Sequence, residues 1–161
     1  LVPAFQHQWK PAFASVEARI SMLKCLVRKQ VEISYIEIQR KGISYTIDTI
    51  KELKAQTGAQ LYWIVGSDIV YEFEKWEKKD ELIKEAHFLV FPRGPYHLPG
   101  KLPQGFDCIQ DKYLITTNIS STAIRQRVKM GKSIEGLVPK EVEEYIIQHR
   151  LKMLCSRQQK T

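Results

Sequence analysis

Two short runs, Leu61-Tyr62-Trp63-Ile64-Val65 and Phe88-Leu89-Val90-Phe91, are apolar without interruption and end at chain-breaking residues. Gly66 closes the first, and Pro92 with Gly94 closes the second. Unbroken apolar stretches of this length, rich in β-branched and aromatic side chains, read as strands buried on both faces. Such strands belong to parallel sheets, and a parallel sheet needs covering helices. The expected class is therefore α/β, with a parallel sheet and helices on both faces.

The rest of the chain supplies those helices. Ser15 is a cap for a helix reaching to about residue 27, with Ile20, Leu23 and Val27 at spacings of three and four. Residues 31–38 alternate (Val31, Ile33, Tyr35) and read as a strand. After the Lys41-Gly42 turn, Ser44 or Thr46 caps a helix that turns Ile47, Ile50 and Leu53 inward and stops at Gly58. Leu82 and Ile83 mark a helix over 80–86, while Pro95, Pro99 and Pro103 make 94–105 a loop. Tyr113-Leu114-Ile115 reads as a short strand. Ser120 or Ser121 opens a helix bearing Ile124 and Val128 that ends at Gly131. Pro139 opens the last helix, whose apolar face is Val142, Tyr145 and Ile146. The opening Leu1-Val2-Pro3-Ala4 reads as the end of a strand, which implies a segment before it. Residues 1–154 are expected to form one N-terminally incomplete α/β domain, and 155–161 a polar basic tail.

Composition narrows the partners. With 25 basic and 18 acidic residues, the net charge of +7 suits an anionic ligand. The basic residues are scattered and often stand beside acids, as in Glu74-Lys75-Trp76-Glu77-Lys78, which argues against a nucleic-acid interface. No apolar run approaches the roughly 20 residues of a membrane span, so no membrane partner is expected. The opening residues carry no signal-peptide pattern. Cys25, Cys108 and Cys155 are far apart and form no CxxC, so neither a disulfide framework nor a zinc site is expected. A reducing, cytoplasmic setting fits.

In parallel α/β folds ligands bind beyond the carboxyl ends of the strands. Beyond the Tyr113 run stand Ser120, Ser121 and Thr122 at a helix start, with Arg125 one turn along. Free N–H groups and a guanidinium there suit a phosphate, although a serine cap beside a solvated arginine has the same appearance. Gly66-Ser67-Asp68 lets a ligand approach the backbone and offers a carboxylate to a hydroxyl or amine; an ordinary strand-to-helix turn is the alternative. Trp76, eight residues after Asp68, is a stacking platform or a packing residue. Tyr45 and Thr46 stand at another helix start, and Lys10 follows the first apolar stretch. The four histidines have no metal-ligand spacing, and no GxSxG, Walker or GxGxxG motif is present.

Taken in order, Val2-Pro3-Ala4 with Lys10, Ser15 and Arg19, Gly42 with Ser44-Tyr45-Thr46 and Asp48-Thr49, Gly66-Ser67-Asp68 with Trp76, Ala86-His87-Phe88, Pro92-Arg93, Ile119-Ser120-Ser121-Thr122-Ala123-Ile124-Arg125 and Leu137-Val138-Pro139 form a recognisable series. It resembles the bacterial nicotinate-nucleotide adenylyltransferases, of the nucleotidyltransferase superfamily, from about Val2 to Leu151. The ISSTxIR element is common to the wider superfamily. The SYTxDT element and the tryptophan after GxD are more particular to the NAD-biosynthetic branch.

The resemblance implies a Rossmann-like fold and adenylyl transfer from ATP to nicotinate mononucleotide, giving deamido-NAD and pyrophosphate, usually with Mg²⁺. It implies ATP contacts at Ser121, Thr122, Arg125, Gly66, Asp68 and Arg93. It implies contacts to the second substrate at Lys10, Tyr45, Thr46 and Trp76, the indole stacking on the pyridine ring. Two features depart from the family. The GxFxPxHxGH-type loop, whose histidines serve catalysis, is not within these residues. It is expected before Leu1 with the first strand-loop-helix unit, and the chain without it is expected to be inactive. His7-Gln8-Trp9-Lys10 stands where the family usually has Pro-Pro-His before its lysine. The rival readings are another adenylyltransferase of the superfamily, such as one acting on phosphopantetheine, and a non-catalytic nucleotide-binding module. The Ser44-to-Thr49 segment and Trp76 count against the first. Oligomeric state and the choice between acid and amide substrates are not legible in these residues.

Overall fold

Leu61–Gly66 (β1), Ala86–Phe91 (β2) and Phe106–Cys108 (β3) lie side by side in the order β1-β2-β3, all parallel. The structure is a computed structural model and describes residues 1–9, 12–94 and 96–149. These residues group into two units, one built from Tyr45–Asn118 and one from Leu1–Ser44 with the chain from Ile119 onward.

The Tyr45–Asn118 unit holds the sheet. Register pairs Trp63 with Phe88 and Phe88 with Phe106, so these rings share one face. Phe88 is fully buried, stacks on Phe106 (centroids 4.7 Å apart) and meets Phe73 at 5.5 Å. Helix α3 (Thr46–Thr57) brings Ile47 and Ile50 onto this face, α4 (Ser67–Glu72) brings Val70, and α5 (Lys79–Glu85) brings Leu82. Gly58 ends α3 with φ +64°, the left-handed cap expected of it. Lys51 and Lys54 of α3 pair with Glu81 and Glu85 of α5.

The parallel α/β architecture is as the sequence predicts, but five local expectations are not met. β1 is not buried on both faces: Tyr62 and Ile64, on the face opposite Trp63, are 58% and 67% exposed. An apolar run records only the residues, and it takes two covering layers to bury both faces. Residues 113–115 form no strand, because Asp111 captures the backbone in a turn. Its Oδ1 accepts from Tyr113 N at 2.7 Å and its carbonyl from Leu114 N at 3.1 Å. The third strand comes earlier instead, at Phe106, straight after the proline-rich loop.

The other three corrections fall in the second unit. Residues 31–35 are irregular and Ile36–Arg40 is a short helix, α2, that buries Ile36 and Glu37 side by side. Adjacent buried residues break the period of two that a strand requires. Ser44 does not cap α3. Its Oγ accepts from Phe5 N (2.9 Å) and its N–H donates to Gln6 O (2.9 Å), while Tyr45 occupies the cap position without a side-chain bond. The opening residues are extended and bonded at Ser34 N to Leu1 O, with one parallel bridge between Gln6 and Ile43, but they form no strand.

Helix α1 (Val16–Lys24) starts at Ser15, whose Oγ accepts from Ala18 N (3.2 Å). Helix α6 (Ser121–Lys129) and α7 (Lys140–Gln148) bury Ile124, Val142 and Ile146 against Ile134, with Met22 and Leu26 at the margin. Among the described residues no helix is long and apolar enough to cross a membrane.

Candidate functional site

In the Tyr45–Asn118 unit, the carboxyl ends of β1 and β2 bring Gly66, Ser67, Asp68 and Arg93 together. The last ladder pair is Gly66 with Phe91. Pro92 follows and has no N–H to donate, so the strands part there. Arg93 Nη1 lies 3.6 Å from Asp68 Oδ1, with the two side chains 35% and 29% exposed. That oxygen is itself buried and, among the described residues, accepts no hydrogen bond. Gly66 is what lets the pair close over the backbone. A Cβ there would stand 2.4 Å from Asp68 Oδ1 and 2.9 Å from Arg93 Cδ.

Tyr45 and Thr46 sit at the start of α3, where Thr49, fully buried, hydrogen-bonds to Tyr45 O at 3.3 Å through its hydroxyl. Trp76 is half-buried, tilted against Phe73 (5.7 Å) and edge-on to Phe88 (6.2 Å). Tyr45 and Trp76 both pack on the same core. The indole is thus a packing residue on one side. His87 stacks on Tyr62 at 5.6 Å, on the open side of the sheet.

In the other unit, Ser120 caps α6 by accepting from Ala123 N at 3.2 Å. Ser121 and Thr122 are exposed at the first turn. Arg125 Nη2 donates to Thr122 Oγ1 at 3.0 Å, and its guanidinium lies 4.0 Å from the centroid of the Phe13 ring. Phe13 escaped the sequence reading, although it stands two residues before the Ser15 cap, where an apolar residue has little else to do. Arg19 ties the opening residues to α1 by donating to Ala4 O and Phe5 O. Lys10 lies outside the described residues.

Two candidate constellations therefore exist, one in each unit: hydroxyls beside a guanidinium at the start of α6, and a carboxylate–guanidinium pair at the ends of β1 and β2. Neither holds the donors for a resident metal ion. Among the described residues no three His, Cys, Asp or Glu side chains cluster, and Asp68 already faces a guanidinium.

Residues 3–127 match the cytidylyltransferase-like family. The probable nicotinate-nucleotide adenylyltransferase of a Synechococcus species is 36% identical over 163 residues, spanning 93% of this chain and 79% of the relative. That of Moorella thermoacetica is 34% identical, spanning 89% and 70%. That of Thermotoga maritima is 33% identical, spanning 91% and 74%. The fold matches that of Plasmodium falciparum nicotinic acid mononucleotide adenylyltransferase complexed with NaAD, with a TM-score of 0.71 at 20% identity over 94% of this chain and 80% of that one. Sequence and fold agree: the chain belongs to the nicotinate-nucleotide adenylyltransferases, within the cytidylyltransferase-like family.

Proposed function

We propose that the protein, expressed from its natural reading frame, carries out adenylyl transfer from ATP to nicotinate mononucleotide, giving deamido-NAD and pyrophosphate in NAD biosynthesis. An oxygen of the mononucleotide 5′-phosphate attacks the α-phosphorus of ATP in line. The bond from that phosphorus to the bridging oxygen breaks, and pyrophosphate leaves with the electron pair. No protein nucleophile is needed, so catalysis rests on alignment and on neutralising charge. The observation that carries this reading is the 36% identity to an enzyme of that name across 93% of the chain.

The residues divide the work. Ser121, Thr122 and Arg125 take the ATP phosphates. The first-turn N–H groups and hydroxyls donate to phosphate oxygens, and Arg125 adds a planar fork already oriented by Thr122 and Phe13. Gly66 and Asp68 line the adenosine side with Arg93, where the buried Asp68 oxygen is an acceptor awaiting a ligand donor. Tyr45 and Thr46 meet the nicotinate end, and the outer face of Trp76 stacks on the pyridine ring. Lys10 meets a phosphate. Mg²⁺, when bound, would supply charge shielding at the triphosphate that Ser121, Thr122 and Arg125 would hold. The enzyme works in solution in the cytoplasm.

The test is pyrophosphate release by the protein expressed from its natural reading frame. ATP is supplied with nicotinate mononucleotide, nicotinamide mononucleotide or phosphopantetheine in turn. Turnover with the first at least tenfold above the others is expected. Preference for phosphopantetheine, or ATP binding without turnover on any of the three, overturns the assignment.

A further inference from the structure

We infer that Ser67 is a positioning residue: its hydroxyl clasps Arg93 and so sets the geometry of the Asp68–Arg93 pair that lines the nucleotide. The inference rests on the functional reading above. Ser67 is fully buried, although a serine one residue beyond a strand end would ordinarily turn its hydroxyl to water. Its Oγ instead accepts from Arg93 N at 3.0 Å and donates to Arg93 O at 3.1 Å. One hydroxyl thereby satisfies both backbone groups of one residue, spending its single proton and one lone pair.

The position of this clasp gives it its effect. The β1–β2 ladder ends at Gly66 and Phe91, and Pro92 can add no N–H to it. Beyond that point the ladder no longer holds the first turn of α4, which carries Asp68, against the segment after β2 that carries Arg93. Ser67 ties them one residue past the last rung, adjacent to Asp68 in sequence and bonded to Arg93 through the main chain. The 3.6 Å separation of Asp68 Oδ1 from Arg93 Nη1 follows from that tie. So does the lie of the Arg93 side chain against Gly66, where its Cδ fills the space a Cβ would need. Ser67 itself, fully buried, touches no ligand; it acts through Arg93.

The experiment compares the full natural protein with Ser67→Ala, Arg93→Ala and the double variant. First, amide hydrogen exchange is followed on each protein without substrate. In Ser67→Ala the Arg93 amide is expected to exchange at least tenfold faster, while the amides of β1 and β2 keep their protection. No change at Arg93, or equal acceleration throughout the strands, overturns the clasp. Second, steady-state kinetics with ATP and nicotinate mononucleotide are expected to show KM for ATP raised about tenfold in Ser67→Ala, with kcat within twofold and KM for the mononucleotide unchanged. In the Arg93→Ala background the same substitution should add less than twofold, because its route to the nucleotide is already cut. Multiplicative effects in the double variant refute action through Arg93. Should the unaltered protein show no adenylyl transfer, the functional reading fails, yet the exchange result still decides whether the clasp exists.

Discussion

The guanidinium of Arg125 lies over the ring of Phe13, 4.0 Å from its centroid, and is held a second time by Thr122 Oγ1 at 3.0 Å. Two fixed contacts leave the side chain little rotamer freedom to lose when a phosphate arrives. Phe13→Leu removes the cation–π contact, about 0.5–1 kcal/mol at a partly exposed site, so KM for ATP should rise roughly two- to fivefold. Arg125→Lys removes both the ring contact and the planar fork while keeping the charge, and the rise should exceed about tenfold. Steady-state kinetics at varied ATP check the order. No effect of either change, since both keep the charge, would mean that only charge matters.

Gly66→Ala separates folding from binding. The backbone there has φ −77° and ψ 159°, which any residue adopts, so the glycine is not needed for its conformation. It is needed for space. The new methyl would stand 2.4 Å from Asp68 Oδ1 and 2.9 Å from Arg93 Cδ, both movable side-chain atoms. They will swing aside at little cost to stability and take the ligand geometry with them. Thermal unfolding should stay within a few degrees of the parent, corresponding to less than about 1 kcal/mol. ATP affinity by calorimetry should fall by about tenfold or more. A large drop in Tm with unchanged affinity would contradict this account.

Much of this was legible beforehand, for identifiable reasons. Gly58, Ser15 and Ser120 act through their own backbone neighbourhood, so a short window of sequence contains the whole cause. Gly66-Ser67-Asp68 and the Arg125 turn were equally visible as residues at strand and helix ends. The partners of these groups were not. Ser67 meets Arg93 across 26 residues, and Arg125 meets Phe13 from the far end of the chain. Residues 31–38 misled because alternation signals a strand only where another strand is present to pair with it. Ser44 misled likewise: its hydroxyl could serve α3 or Phe5, and the choice depends on a segment 39 residues away.

The Lys51–Glu81 pair fixes a pH dependence with a definite sign. Its hydrogen bond holds the Glu81 carboxyl below the ordinary 4.5 and the Lys51 ammonium above 10.5. A lowered carboxylate stabilises above its unfolded value, and that contribution fades as pH falls through the lowered one. A raised ammonium stabilises below its unfolded value, and its contribution fades as pH rises through the raised one. Lys51→Met should therefore lower Tm by a small, constant amount from about pH 5.5 to 9.5, with the difference closing on either side. Because both groups are exposed, 1 M salt should shrink the difference across that plateau. A difference that changes between pH 6 and 8 would assign the effect to other groups.

Trp76 has two claims on it, and a pair of substitutions tells them apart. Its inner side meets Phe73 at 5.7 Å and Phe88 at 6.2 Å, so Trp76→Ala opens a void at the core margin. Full truncation of a large buried aromatic costs about 3–5 kcal/mol; for a half-buried one the lower end is expected. Trp76→Phe keeps an aromatic ring against Phe73 and should cost under about 1.5 kcal/mol. The outer face is another matter. A phenyl ring offers a pyridine far less overlap than an indole, and base–aromatic stacking contributes about 1–3 kcal/mol in comparable settings. Trp76→Phe should therefore unfold close to the parent temperature while KM for nicotinate mononucleotide rises about three- to tenfold, KM for ATP staying put. If both Michaelis constants are unaltered in that variant, the indole serves the core alone and some other group grips the pyridine ring.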